Sequence, residues 1–321
     1  MSLEDAKTQV DLAFTRKDRR GLAFENAFGG ATSFLRRTYS KDIASADLVV
    51  TGVPFDQAVT HRPGTRFGPR AIREASTLQP YDPPYGWDGF DPLGEFEIVD
   101  YGDMPFDYAN VSGVPVLIEA HIKTIINQGP ATITLGGDHF ITLPILRAYA
   151  AKYGPMSVIQ FDAHSDLWAD DDMSRIDHGT FMYKAVKLGL VDVTRSVQIG
   201  IRTECDDCLG MPYIDAREVH EKGAAYVVDK VKKIVGASPT YVTFDIDALD
   251  PAFAPGTGTP VWGGLASWQT AAILRDLAGI NCVGGDVVEV SPPYDSGNVT
   301  AVAGAHVELE VEAVRGSANS A

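Results

Sequence analysis

Three short segments carry acidic and imidazole side chains at spacings that suit metal binding. The segments are GGDH, FDAHSD and FDIDALD, and each one follows an apolar, β-prone run. Alternate residues of a strand share a face, so the acids and imidazoles within a segment can point into one space. If the strand ends converge, six donors meet there: His139, Asp162, His164, Asp166, Asp245 and Asp247.

Four carboxylates in one cleft need compensating positive charge. Two carboxylates about 4 Å apart repel by roughly 4 kcal/mol at an effective dielectric of about 20, and no Lys or Arg adjoins them in sequence. A pair of divalent cations is the simplest compensation, and oxygen-rich donors with two imidazoles and no thiolate favour Mn²⁺ over Zn²⁺. Two ions about 3.5–4 Å apart can lower the pKa of a shared water. The residues alone therefore predict a dinuclear metallohydrolase.

The order of strands and helices predicts the architecture that brings these donors together. Six continuous apolar runs are typical of strands buried on both faces of a parallel sheet, at 46–55, 131–139, 156–164, 196–202, 240–250 and 280–290. Helical periodicity separates them, at 114–129, 142–154, 224–236 and 266–279. We expect an α/β fold, a single three-layer αβα domain with a mostly parallel, doubly wound sheet, over residues 41–321, preceded by an N-terminal arm over residues 1–40.

Composition and charge exclude several kinds of partner. The chain has 321 residues and a formal net charge of −16, which argues against binding to nucleic acid or to an anionic membrane. The charged N-terminus is unlike a signal peptide, and no window approaches the roughly 20 apolar residues of a membrane span. Three cysteines, two of them in an isolated Cys205-x-x-Cys208, indicate a reducing compartment. We therefore expect a cytoplasmic protein.

Several motifs resemble the ureohydrolase family, which includes arginases and agmatinases. The resemblance runs in order from about Gly52 to Leu309 through GVPFD, RPGTRFGPRAIR, GGDHFITLP, FDAHSD, DHGTFMY, TFDIDALDPAFAPGTGTPVWGG and GGDVVEVSPPYD. The segments SVQIGIRTE and DPAFAPGTGTP are more similar to agmatinases than to arginases. The resemblance implies an arginase-like fold, a homotrimer or homohexamer, and a small cationic guanidino substrate.

The resemblance also implies roles for particular residues. Two Mn²⁺ ions would bind each subunit, one held by His139, Asp162, Asp166 and Asp245 and the other by Asp162, His164, Asp245 and Asp247. His178 matches a catalytic histidine that moves a proton to the leaving amine, a task suited to an imidazole. Glu289 matches the glutamate that holds the guanidinium, and Asp166 is placed with these two catalytic residues. Thr259 either contacts the substrate site or turns its loop.

The substrate follows from the segment between the second metal motif and His178. In arginases this segment usually contains Asn and Ser residues that contact the α-carboxylate, whereas here it is the acidic LWADDDMSRIDHG, with Asp170–Asp172 interpreted as a solvated run. Agmatine, hydrolysed to putrescine and urea, is the leading prediction. A guanidino-acid hydrolase of the guanidinobutyrase or guanidinopropionase type stays open because Arg62, Arg66 or Arg175 could bind a carboxylate.

Readings outside the family have less support. A metallophosphoesterase would need a basic or glycine-rich phosphate loop, which GGDH is not. A non-catalytic metal-binding protein would have lost a ligand or the catalytic histidine, and both are present. Two further segments are candidates for the rim of the cleft, the HRPGTRFG loop that begins at His61 and the loop at 82–92.

Overall fold

A single parallel sheet organises the chain. The computed structural model describes residues 11–13, 22–26, 28–81, 85–87 and 90–317. Every pair of neighbouring strands is parallel, in the spatial order β1-β3-β2-β4-β9-β8-β5-β6-β7. The strands are β1 Thr38–Tyr39, β2 Leu48–Val53, β3 Ile98–Asp103, β4 Ala131–Gly136, β5 Ser157–Phe161, β6 Val197–Ile201, β7 Tyr213–Asp215, β8 Thr240–Asp245 and β9 Cys282–Val288.

Helices cover both faces of this sheet. They are α1 Gly68–Ser76, α2 Pro92–Glu95, α3 Val114–Ile126, α4 Thr142–Tyr153, α5 Phe181–Lys187, α6 Ala216–Lys222, α7 Ala224–Val235, α8 Ser267–Asp276 and α9 Val299–Ser317. One layer packs α1, α7, α8 and α9 against the sheet, and the other packs α3, α4 and α5. The expected three-layer αβα fold is confirmed.

Burial on both faces explains why the strands are continuously apolar. In β5, Ile159 and Phe161 belong to the core under α7, whereas Val158 between them belongs to the core under α4. Every residue of β2, β4, β5, β6 and β8 is buried. The six predicted strands are therefore all present, as are the four predicted helices.

Other elements lacked a clear signal in the sequence. β1 and β7 are only two and three residues long, and β3 mixes apolar residues with Asp100 and Gly102. The final helix, α9, has three buried glutamates, which obscure its apolar face: Glu308, Glu310 and Glu312. None of the helices in the described ranges is long and apolar enough to span a membrane.

The predicted N-terminal arm is described in part. Phe34 and Leu35 are fully buried in the main core, and the Phe34 amide donates to the Asp100 carboxylate at 2.8 Å. β1 then pairs with β3 at the edge of the sheet. The stretch from 33 to 40 is thus packed against the sheet, and the division of the chain at residue 40 stays a prediction.

The order of the strands places the candidate site residues side by side. The chain passes from β4 to β5 across the positions that β9 and β8 later fill, so β4, β9, β8 and β5 are neighbours. All four end at the same edge because the sheet is parallel. Such a change in connection direction opens a crevice at the carboxyl edge of an α/β sheet.

Gly137 allows the end of β4 to reach the chain that follows β2. Its amide donates to the Val53 carbonyl at 3.0 Å, and the next amide, of Asp138, donates to the Phe55 carbonyl at 2.8 Å. A Cβ atom on Gly137 would lie 1.7 Å from the Phe55 carbonyl oxygen. Backbone on both sides fixes this contact, so a larger residue would displace the segment that carries His139.

We expect Gly137→Ala to lower the free energy of unfolding by about 3 kcal/mol, since the methyl group overlaps backbone that cannot move independently. The thermal unfolding midpoint of purified protein measures the effect. Gly29→Ala is the matched control, because its Cβ would meet only the Asn26 carbonyl, at 3.9 Å. Equal midpoints for the two variants would contradict this account of Gly137.

Candidate metal centre

The imidazole of His139 lies at the centre of three carboxylates. Its Nδ1 atom is 3.1 Å from Asp162 Oδ2, 3.1 Å from Asp166 Oδ2 and 3.2 Å from Asp245 Oδ2. All four side chains are buried. Donor atoms from the ends of β4, β5 and β8 therefore converge on one point.

The other nitrogen of His139 sets its tautomer. Nε2 lies 2.9 Å from Thr243 Oγ1, and the Thr243 hydroxyl donates its single proton to Asp286 at 2.6 Å. The hydroxyl must then accept from Nε2–H, and in the neutral imidazole this leaves a lone pair on Nδ1. That lone pair faces the three carboxylates and has no hydrogen-bond partner in the described part of the chain. Hydrogen bonding of the distal nitrogen to a side chain is characteristic of a metal-ligating histidine.

A second group of donors shares Asp162 with the first. His164 Nδ1 lies 3.1 Å from Asp247 Oδ2 and 3.5 Å from Asp162 Oδ1. Within each group, the candidate ligand atoms lie within 4.8 Å of one another; the groups are His139, Asp162, Asp245 and Asp162, His164, Asp247. The Thr259 hydroxyl lies 3.4 Å from Asp247 Oδ2 and contacts this second group.

A chain of buried amides orients Asp162. Gln160 donates to Asp162 Oδ2 at 2.7 Å, and Gln198 donates to Gln160 Oε1 at 2.8 Å and to the Ser165 carbonyl at 2.6 Å. These glutamines were not identified from the sequence. A polar side chain inside an otherwise apolar strand was the available signal, because such a group is seldom buried without a partner.

The charges of the cluster require a cation or protons. Burial and the neighbouring Asp247 and Asp162 raise the pKa of Asp245 well above its usual range. Burial and Asp162 raise the pKa of Asp166 to about 6. Burial lowers the pKa of His164, but Asp247 and Asp162 outweigh it and raise that pKa to about 12. Protons thus collect where cations would otherwise neutralise the carboxylates, and hard divalent cations suit this oxygen-rich donor set.

His178 and Glu289 form a buried pair beside the carboxylates. His178 Nδ1 donates to Glu289 Oε1 at 2.8 Å, and the same oxygen accepts the backbone amide of His139 at 2.9 Å. Burial lowers the pKa of His178, but the Glu289 carboxylate raises it to about 9. Glu289 Oε2 is buried and has no hydrogen-bond partner among the described residues.

Two of the carboxylates sit on strained backbone. Asp166 has φ 52° and Glu289 has φ 62°, in the left-handed region that non-glycine residues seldom occupy. The Glu289 amide donates to the Gly137 carbonyl at 2.9 Å, and the Tyr183 amide donates to the Asp166 carbonyl at 3.1 Å. Such strain persists only where the surroundings fix it, and it is concentrated at functional sites.

A cavity of about 310 Å³ opens beside these groups. Its lining comprises Thr60, His164, Asp166, Trp168, Asp177, His178, Gly179, Thr180, Asp245 and Thr259. The predicted site residues in this lining come from four separate segments of the chain. No Lys or Arg of the described residues contributes to it.

The acidic loop between Asp166 and His178 differs from its prediction. The Asp170–Asp172 run is not wholly solvated, because Asp170 is 9% exposed and pairs with Lys184 at 2.9 Å. Lys184, fully buried on α5, also donates to the Arg175 carbonyl at 2.5 Å. A buried cation thus folds this loop along the wall of the cavity.

Two segments were predicted to form the rim of the cleft, the HRPGTRFG loop and the loop at 82–92, and the structure describes the first of them completely. Thr60, just before the HRPGTRFG loop, reaches His178, and Arg62 stacks over the Tyr294 ring at 5.1 Å. His61 is exposed. The second rim candidate, at 82–92, falls partly outside the described residues, at 82–84 and 88–89, and its role stays a prediction.

Fold and cleft together define a class: α/β proteins whose parallel sheet presents carboxylates and imidazoles suited to divalent cations at its carboxyl edge. A model of the arginase family matches residues 46–312. The chain belongs to this family. The two segments outside the matched range are the first 45 residues and the last nine.

Relatives within the family agree with this assignment. The chain is 46% identical to an agmatinase of Chromobacterium violaceum over 310 residues, 96% of each chain. It is 48% identical to an agmatinase of Neisseria meningitidis serogroup C over 273 residues, 85% of this chain and 88% of that one.

Solved structures are similar over the whole fold. A hypothetical agmatinase from Burkholderia thailandensis superposes with a TM-score of 0.93 at 49% identity, covering 97% of this chain and 99% of that one. Proclavaminate amidino hydrolase from Streptomyces clavuligerus gives a TM-score of 0.85 at 35% identity, covering 92% of this chain and 100% of that one.

Asp162 belongs to both donor groups. We therefore expect Asp162→Asn to reduce the amount of bound Mn²⁺ by at least about tenfold. Loss of the hydrogen bonds that support a ligand already lowers metal affinity by this factor, and loss of a charged ligand should lower it at least as much. Metal content after dialysis, measured by plasma mass spectrometry, tests this. Asp172→Asn removes an exposed acid of the same loop region and should bind metal like the wild type. Full metal content in Asp162→Asn would exclude the shared site.

Proposed function

We propose that this protein hydrolyses agmatine to putrescine and urea with two Mn²⁺ ions per subunit. The observation that supports this most is the convergence of four carboxylates and two imidazoles beside the His178–Glu289 pair. Ions would be held by the two sets that the family resemblance implies. These are His139, Asp162, Asp166 and Asp245, and Asp162, His164, Asp245 and Asp247. When bound, the ions supply a hydroxide at neutral pH and stabilise developing negative charge.

Glu289 would hold the guanidinium of the substrate. A carboxylate and a planar guanidinium form strong, charge-assisted hydrogen bonds. Glu289 Oε1 is occupied by two donors, whereas Oε2 is buried without one. Gly258 lies next to this oxygen, since a Cβ placed on it would be 3.2 Å away. Because Gly258 has no side chain, no Cβ atom fills the space beside Oε2, where a donor from the substrate would bind.

His178 would move the proton that the departing amine requires. It lines the cavity and already carries a proton on Nδ1, toward Glu289. A substrate guanidinium on Glu289 Oε2 would draw negative charge away from Oε1, so the carboxylate would hold the His178 proton less strongly and the proton could be transferred. Asp166 and Thr259, in the same lining, would complete the catalytic and substrate-binding set.

The rest of the cavity suits a cationic tail. Trp168 is 38% exposed beside His164, with ring centroids 6.1 Å apart, and its indole also packs against Gly179. Asp177 lies in the same wall and caps Gly179 through Oδ1 at 2.9 Å. An ammonium group is stabilised by an aromatic face and by a carboxylate. Agmatine carries such a group at the end opposite its guanidinium.

A guanidino acid fits this wall less well. Arg66 is occupied by an ion pair with Asp56, and Arg175 is exposed with its nearest carboxylate, Asp177, 3.5 Å away. Arg62 lies over Tyr294. None of these three guanidinium groups lines the cavity. The guanidinobutyrase or guanidinopropionase alternative therefore lacks a cation positioned for the substrate carboxylate.

The remaining parts of the proposal concern the whole protein. We propose a cytoplasmic homotrimer or homohexamer whose catalytic domain begins near residue 41. Large exposed side chains around α8 and α9 support an assembly, because extensive apolar surface marks protein interfaces. They include Phe253, Trp268, Val299 and Val302.

The function is tested by measuring urea release from Mn²⁺-loaded protein with agmatine, 4-guanidinobutyrate, 3-guanidinopropionate and arginine side by side. Because the cavity wall is acidic and aromatic, we expect kcat/KM for agmatine to exceed that for each carboxylate-bearing substrate by at least about 100-fold, the combined effect of a lost and a repulsive contact. A preference for a guanidino acid would overturn the choice of substrate and leave hydrolysis itself in place.

Asp177→Asn tests the proposed ammonium contact. We expect kcat/KM for agmatine to fall about tenfold, the value of one charge-assisted hydrogen bond, while butylguanidine, which lacks the ammonium group, is hydrolysed as by the wild type. Asparagine retains the oxygen that caps Gly179, so the loop keeps its anchor. Equal losses for both substrates would show that Asp177 acts only on the fold of the loop.

A further inference from the structure

Both ring nitrogens of His178 have protein partners. Nδ1 faces Glu289 on the buried side. Nε2 faces Thr60, whose backbone nitrogen lies 3.1 Å away and whose hydroxyl oxygen lies 2.9 Å away. Thr60 is 118 residues distant in sequence and contributes two polar groups to one nitrogen.

The two groups of Thr60 serve different protonation states of the imidazole. A backbone N–H can only donate, so it is satisfied when Nε2 carries a lone pair. A hydroxyl can donate to that lone pair or accept from Nε2–H. Thr60 therefore offers two donors to the neutral ring, whereas the imidazolium is served by the hydroxyl alone, as an acceptor, and the backbone N–H then loses its partner.

The position of Thr60 is fixed by the same buried groups that surround His178. Asp138 accepts the Ala58 amide at 2.8 Å, and the His178 amide donates to the Ala58 carbonyl at 3.3 Å. Asp138 is itself fully buried at the end of β4. The segment that carries Thr60 is thus attached to both β4 and the His178 turn.

Exposure to solvent distinguishes Thr60 from His178. His178 is only 8% exposed, whereas Thr60, in the lining of the same cavity, is exposed. The charged groups that face His178 are Glu289, Asp166 and Asp138, all of them buried. Of the residues hydrogen-bonded to the ring, Thr60 is the one that is exposed.

We propose that Thr60 is a positioning residue for His178 and that its hydroxyl carries protons between Nε2 and water. In one direction, Oγ1 gives its proton to Nε2 and takes another from a water molecule. In the other, Nε2–H passes its proton to Oγ1, which releases one to water. No bond other than O–H and N–H changes, and no co-reactant is needed. The inference rests on the proposed function, in which His178 protonates the leaving amine.

Thr60→Val and Thr60→Ser separate the hydroxyl from the rest of the residue. Valine keeps the shape and the backbone amide, so we expect kcat to fall about tenfold with KM for agmatine within twofold of the wild type. Serine keeps the hydroxyl and should retain kcat within twofold. Thr124→Val, on the exposed side of α3, is the matched control and should equal the wild type.

Two further readouts distinguish proton transfer from a structural role. Loss of the oxygen that accepts from the imidazolium lowers the pKa of His178, so the alkaline limb of kcat should move by about one pH unit to lower pH in Thr60→Val. Added imidazole, a small proton carrier, should restore part of the activity of that variant only. Metal content and the unfolding midpoint are measured alongside.

Different results would contradict the proposed substrate and the proposed role of Thr60. Absence of urea release from agmatine by the wild type contradicts the proposed substrate, and the Thr60 variants are then compared on the guanidino compound that the wild type hydrolyses fastest. Unchanged kcat and pH profile in Thr60→Val would overturn the role of Thr60. So would an equal loss in Thr60→Ser, because that loss would follow side-chain shape instead of the hydroxyl.

Discussion

Repulsion among four buried carboxylates is the constraint on which the cleft depends. Asp162, Asp166, Asp245 and Asp247 are all at most 5% exposed at the ends of two adjacent strands. Charged groups in such surroundings shift their pKa or recruit opposite charge. Neighbouring hydrogen-bond donors prevent the carboxylates from separating. Backbone amides hold their outer oxygens, as the His164 amide does for Asp162 at 2.7 Å.

The repulsion among the carboxylates also explains why the inner and outer walls of the cleft differ in composition. The inner wall, formed by Gln160, Gln198 and Thr243, consists of neutral donors and acceptors that orient the ligands without adding charge. The outer wall, with Trp168 and Asp177, adds aromatic and negative surface. A cation entering from solvent therefore passes an aromatic and negative surface before it reaches the carboxylates, and low-dielectric walls strengthen the field of such charges.

The sequence was sufficient for the central strands and for the position of the donors. Short continuous apolar runs are typical of strands buried on both sides, and acids placed directly after such strands lie at one edge of a parallel sheet. Family resemblance added His178 and Glu289. Contacts between residues far apart in sequence could not be predicted. Lys184 pairs with the acidic loop from a separate helix, and Thr60 contacts His178, 118 residues away. β3 and α9 were missed because buried polar residues interrupt their apolar pattern.

Glu289 Oε1 accepts hydrogen bonds from two different parts of the site, the backbone amide of His139 and the ring of His178. Ligand binding at His139 and protonation of His178 therefore act on one shared acceptor. Thermodynamic linkage makes such coupling reciprocal: a change in one equilibrium alters the other by the same factor. In the proposed function, metal affinity and the protonation state of His178 are coupled in this way, and a chelator and a change of pH act on the same oxygen atom.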